Sequence, residues 1–186
     1  MSTMGPVVRG LLARAGLSAL FEARAAGDTA AVRAAEPTLA AADRFALGAF
    51  ADAIRAREVG PTVRVHGGAA RAGEAPLVVL GRAGQDGLSL LREVALARIL
   101  GAPGARVAVD FASAGLEIAE VALAFGASEL VGATANKRGL AIADDERKKV
   151  KGEGMVSLAL LKQKDMARVL AASGREVSFE TQGAAR

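Results

Sequence analysis

His66 is the only histidine in the chain. It ends an alternating stretch, "TVRVH", and is followed by Gly67 and Gly68. A histidine so placed can act as a general base, with glycine amides turned toward an anion. No Ser, Cys or Asp partner is identifiable beside it, so a histidine kept for a turn is the competing reading. Two further groups follow apolar stretches. Asp110, Ala112 and Ser113 come after one, and Thr134, Asn136, Lys137 and Arg138 after the next. Asp110 can accept hydrogen bonds from a ribose or an amine. Ser113, Thr134 and Asn136 can position a polar ligand, and Lys137 and Arg138 can meet a carboxylate or phosphate. Against this, Asp110 can simply cap the helix after it, and the two cations can be solvated loop charges. "GRAGQDG" (81–87) sets glycines before a helix but lacks the spacing of a dinucleotide fingerprint or a P-loop. Glu117 and Glu120 lie three apart with no histidine near them and read as a solvent face.

These residues are positioned by elements whose periodicity is legible. Residues 1–59 read as helical, with apolar positions recurring at three and four. Asp28 or Thr29 can cap a restart after Gly27, and Pro37 separates a short helix from a longer one. In that longer helix Leu39, Phe45, Leu47, Phe50 and Ile54 form an apolar stripe. The period changes at Thr62. "TVRVH" and "APLVVLG" read as strands, and "DGLSLLREVALARILG" as a helix. Leu88, Leu91, Val94 and Ile99 face inward in that helix, Arg92 and Arg98 outward, and Asp86 or Ser89 caps it. "ARVAVDF" is a buried strand, residues 115–125 a helix ended by Gly126, and "SELVGAT" another buried strand. A polar loop (136–154), a helix (157–172) capped by Ser157, and a short strand, "REVSFET", complete the chain. Strands alternating with helices imply βαβ units and a parallel sheet with right-handed connections. The loops after parallel strands are where such folds hold ligands.

Composition narrows the chemistry. With no cysteine among 186 residues there is no thiolate zinc site, thiolate-held iron–sulfur cluster or cysteine nucleophile. One histidine cannot build a two-histidine metal site, and no metal or cofactor is expected. Net charge is +4, and the basic run Arg147-Lys148-Lys149-Val150-Lys151 is balanced by Asp144-Asp145-Glu146 before it. Aromatics are 3%, too few for a base-stacking surface, so no nucleic-acid partner is expected. No apolar run reaches the ~20 residues of a membrane span. Arg9 and Arg14 interrupt the first segment, which reads as an amphipathic helix of a cytoplasmic protein.

The stretch "LSLLREVALARILGAPGARVAVDFASAGLEIAEVALAFGASELVGAT" resembles the C-terminal part of radical S-adenosylmethionine enzymes. The likeness is to the menaquinone-pathway group, aminofutalosine synthase and dehypoxanthine futalosine cyclase, with biotin synthase further off. The ending Gly126-Ala127-Ser128-Glu129-Leu130-Val131-Gly132 is similar to the run into the last barrel strand of those enzymes. "DRFALGAFADAIRAREVG" is similar to their helix before the first barrel strand, and "ARVLAASGREVSFET" to their last helix. The resemblance covers about residues 38–65 and 85–182. It implies an α/β fold: a partial, half TIM-like barrel (61–182) behind an N-terminal helical segment (1–60), together one compact unit. The family's three-cysteine motif, due after "VRVH", is missing, as is the middle of the barrel. The resemblance therefore implies a non-catalytic, radical-enzyme-like accessory or binding protein linked to menaquinone biosynthesis. A half barrel leaves edges exposed, so the chain is expected to form a homodimer or a complex with a full-length radical enzyme, unless the N-terminal helices cover the open side. The alternative is an α/β enzyme of another class, binding a small anionic or nucleoside-like metabolite through its strand-end residues.

Overall fold

The architecture is that of a computed structural model in which residues 5–67, 75–135 and 161–180 are described. It is an α/β fold. Strands β1 (Thr62–His66), β2 (Leu77–Leu80), β3 (Arg106–Asp110), β4 (Glu129–Val131) and β7 (Glu176–Glu180) form one sheet in the order β2-β3-β4-β1-β7. Every pairing in it is parallel. A separate two-stranded pair joins β5 (Thr134–Ala135) to β6 (Leu161–Lys162).

Strand order explains where the helices go. The steps β2 to β3, β3 to β4 and β4 to β7 all run in one direction across the sheet. Right-handed crossovers taken in one direction put their helices on one face. These are α6 (Gly87–Leu100), α7 (Phe111–Ala114) with α8 (Leu116–Leu123), and α9 (Gln163–Ala172). The side-chain period of two then divides the sheet. Val63, Val65, Val107, Val109 and Leu130 are buried on the helix side. In register on the opposite side stand Thr62, Arg64, His66, Arg106, Asp110, Glu129, Glu176 and Glu180.

Helix α5 (Arg44–Glu58) packs along α6, and α1 (Pro6–Arg14), α2 (Ser18–Ala25), α3 (Thr29–Ala34) and α4 (Glu36–Ala41) pack onto these two. The N-terminal helices thus thicken the helical layer rather than cover the other face. A single apolar core runs from Leu12, Leu17 and Val32 through Phe50 and Val94 to Val107, Leu130 and Leu170. Gly126 makes the close approach possible at the end of α8. It has φ +100°, and a Cβ there would sit 2.9 Å from Ala51 Cβ and 3.0 Å from Arg98 Cβ.

Several local expectations are corrected. The long helix after Pro37 is two helices, because Asp43 stops one and starts the next: its carboxylate accepts from the Ala46 amide at 2.9 Å. Phe45, in the first turn of α5, is 70% exposed rather than part of the apolar stripe, and Leu88 at the start of α6 is 50% exposed. Arg98 was expected outside and is fully buried. Residues 115–125 shorten to Leu116–Leu123, and Gly115 at φ +85° separates α7 from α8. Leu161 and Lys162, expected in the last helix, form strand β6, and Ser157 lies outside the described residues. The caps resolve to Asp28 and Asp86. Asp43→Ala removes the cap of a 15-residue helix and is expected to cost about 1 kcal/mol, read from a urea unfolding curve.

Candidate functional site

The carboxyl ends of the parallel strands align in one row. Asp110 on β3 pairs in register with Val131 on β4, Val131 with His66 on β1, and His66 with Glu180 on β7. Neighbouring strands are ~5 Å apart, so His66 lies one strand spacing from Glu180 and two, roughly 10 Å, from Asp110. One row deeper, Glu129 sits in register with Arg64.

Glu129 is the centre of the arrangement. Its carboxylate is 1% exposed. The Arg106 guanidinium forks onto it, Nε to Oε1 at 2.6 Å and NH2 to Oε2 at 2.7 Å. Arg64 reaches Oε1 at 3.4 Å while remaining 48% exposed. His66 Nε2 lies 2.8 Å from Oε2 and its side chain is 5% exposed. The partner that sequence inspection did not find for His66 is therefore this glutamate, 63 positions away. Burial pushes the Glu129 carboxyl up, but hydrogen bonds from Arg106 and then His66 outweigh it and hold the group below its ordinary value. Those bonds also raise Arg106 above its usual range. An ionised carboxylate only accepts, so the imidazole presents Nε2–H to Glu129, and in the uncharged tautomer with that proton the lone pair is on Nδ1.

The other candidates are placed as follows. Asp110 caps α7: Oδ1 accepts from the Ala112 amide at 2.9 Å and the Ser113 amide at 3.3 Å. Ser113 Oγ donates to Oδ2 at 2.8 Å. The two side chains are turned on each other and the backbone. Thr134 is fully buried in β5, and its hydroxyl has no hydrogen-bond partner among the described residues. Asn136, Lys137 and Arg138 lie outside the described residues. Glu117 is exposed and Glu120 half-buried. The strand-end row thus brings His66 and Asp110 together with Glu180, while Glu129, Arg106 and Arg64 were not anticipated. A signal for Glu129 existed. A carboxylate at the head of a strand read as buried on both faces must have a cationic partner.

Among the described residues no group of three or more His, Asp or Glu is placed to hold a metal ion. No described helix is long and apolar enough to cross a membrane. Fold and site define an α/β protein with a five-stranded parallel sheet, apolar toward its helices and carrying a buried Arg–Glu–His cluster on its other face. No family model, curated protein or solved structure matches the chain.

Proposed function

We propose that the chain is a metabolite-binding α/β protein that takes a small anionic or nucleoside-like molecule at the carboxyl ends of its parallel strands, with no radical chemistry. The observation that carries this reading is the polar sheet face itself. All-parallel sheets are ordinarily apolar and covered on both sides. Here one face invests charge around Glu129 and presents a half-exposed arginine, Arg64, toward the row that holds His66. A guanidinium is suited to grip a carboxylate or phosphate by paired hydrogen bonds. Glu180, exposed at the rim, is placed to receive hydroxyl or amine donors, whereas Asp110 is engaged in its cap. The absence of cysteine removes the usual ligands of a radical-enzyme cluster.

The test is a thermal-shift screen of small carboxylates, phosphorylated metabolites, nucleosides and nucleotides, followed by calorimetry. An anionic or nucleoside-like compound is expected to raise the melting temperature, and Arg64→Ala to weaken binding of an anionic one about tenfold, ~1.4 kcal/mol. A panel in which nothing shifts the transition overturns the reading.

A second reading, a non-catalytic accessory protein docking on a full-length menaquinone-pathway radical enzyme, is favoured by the β2 edge. Its residues Val78 and Val79 are 40% and 49% exposed, and no described strand pairs with its outer side. A neutral apolar edge lacks the charges that protect edge strands from pairing. Light scattering on an equimolar mixture decides: a mixed complex abolished by Val79→Lys supports docking, and two separate species exclude it.

A further inference from the structure

We propose that His66 is a general base and that the chain hydrolyses a small anionic ester, with Glu129 as the positioning residue that orients the base. The inference rests on the metabolite-binding reading above and adds a reaction to it.

Three observations carry it. First, the contact is directional. Glu129 is held by the Arg106 fork, so both carboxylate oxygens are fixed before His66 is considered. The oxygen nearest His66 can only accept a proton, and the imidazole must present Nε2–H to it at 2.8 Å. A carboxylate behind a histidine in this way sets its tautomer and stabilises the imidazolium when the other nitrogen gains a proton. Second, the base is at the right place in the fold. His66 ends the strand β1, which lies between β4 and β7, on the rim where parallel sheets hold ligands. Third, Arg64, two residues earlier on the same face, is half exposed and sets a cation beside the base for an anionic substrate.

The step balances as follows. Water donates one proton to Nδ1. Its O–H electron pair becomes the nucleophile that attacks the ester carbonyl carbon. As the tetrahedral intermediate collapses, the C–O bond to the leaving group breaks, and the imidazolium returns its proton to that oxygen. The products are an acid and an alcohol, and neither oxidant nor reductant is required.

Because the chain has a single histidine, its imidazole nitrogens can be read without ambiguity by nitrogen NMR. The Nε2–H tautomer is expected in the wild type and its loss in Glu129→Gln. The activity probes are 4-nitrophenyl acetate and its carboxylate-bearing counterpart, mono-4-nitrophenyl succinate. The wild type is expected to prefer the succinate ester, and Arg64→Ala to lose that preference. His66→Gln should reduce the rate at least ~100-fold. Glu129→Gln should reduce it about tenfold and move its pH profile, which a purely structural glutamate would not do. Melting temperatures of all variants establish that each is folded. No acceleration by the wild type, or equal rates in the wild type and a folded His66→Gln, overturns the hydrolytic inference. If compounds from the binding panel still stabilise the protein, the metabolite-binding reading stands without it. If none does, both fall.

Discussion

Glu129→Ala is expected to lose roughly 3–5 kcal/mol of folding stability in urea or guanidinium unfolding, the range for removing one partner of a buried ion pair. The reason is what the deletion leaves behind. Arg106 loses both hydrogen bonds of its fork, Arg64 loses its contact at 3.4 Å, and buried His66 loses the acceptor for Nε2. These groups lie on β3 and β1, the two neighbours of β4, so the damage spreads over the middle of the sheet. Glu129→Gln keeps the shape and one acceptor oxygen but not the charge, and is expected to fall between the wild type and the alanine variant. Acidity gives an independent check. The folded carboxyl is held below its unfolded value, so its contribution is complete above the ordinary carboxylate range. That contribution is lost as the pH falls from that range through the depressed folded value. Wild-type stability is therefore expected to drop on acidification, more steeply than that of Glu129→Ala.

Arg98→Ala is expected to be of similar size, roughly 3–5 kcal/mol, by a different route. Arg98 is fully buried and spans three acceptors. Nε donates to the Gly126 carbonyl at 2.8 Å, NH2 to Ser128 Oγ at 3.1 Å, and NH1 to the Ala105 carbonyl. Burial pushes its guanidinium down to about 10, with Glu58 acting against the shift, so it remains charged near neutral pH. The side chain thereby ties α6 to the entries of β3 and β4. Arg98→Met keeps the aliphatic stem and restores packing, but leaves the Gly126 and Ala105 carbonyls without this donor, and is expected to recover only part of the loss. Arg98→Lys is expected to behave like Arg98→Met, because one ammonium cannot span three separated acceptors. Ser128 immediately precedes Glu129. A folded Arg98 variant is therefore also expected to weaken ligand binding, and calorimetry alongside the unfolding curve measures both effects.

The two residues with the largest expected effects are the least legible in the sequence, and for the same physical reason. Arg98 follows Leu91 by seven and Val94 by four, so the helical spacing that turns those two inward turns Arg98 inward as well. Only its charge argued for solvent. Glu129 alternates with Leu130 in a strand that reads as apolar. Charge taken residue by residue points to solvent, whereas a buried charge is decided by the acceptors or counter-ions that meet it. Phe45 and Leu88 show the converse. Each is apolar near the start of a helix, where the first turn projects beyond the packed layer, and each remains exposed.

Strands β1, β2, β3, β4 and β7, the helices between them and the parallel sense of the sheet follow from local signals. Alternation, helical spacing, Asp caps and glycine stops act over a few residues, so the chain itself carries them. His66 and Asp110 could be singled out because strand ends are visible in the same way. The candidate site could not be. Glu129 meets Arg106 across 23 positions and His66 across 63. Those meetings require β4 to lie between β3 and β1, in one particular register. A shift of one residue would send Glu129 to the apolar face. Strand order and register are set by the packing of the whole sheet against its helices, a property of the assembled core that no stretch of sequence contains.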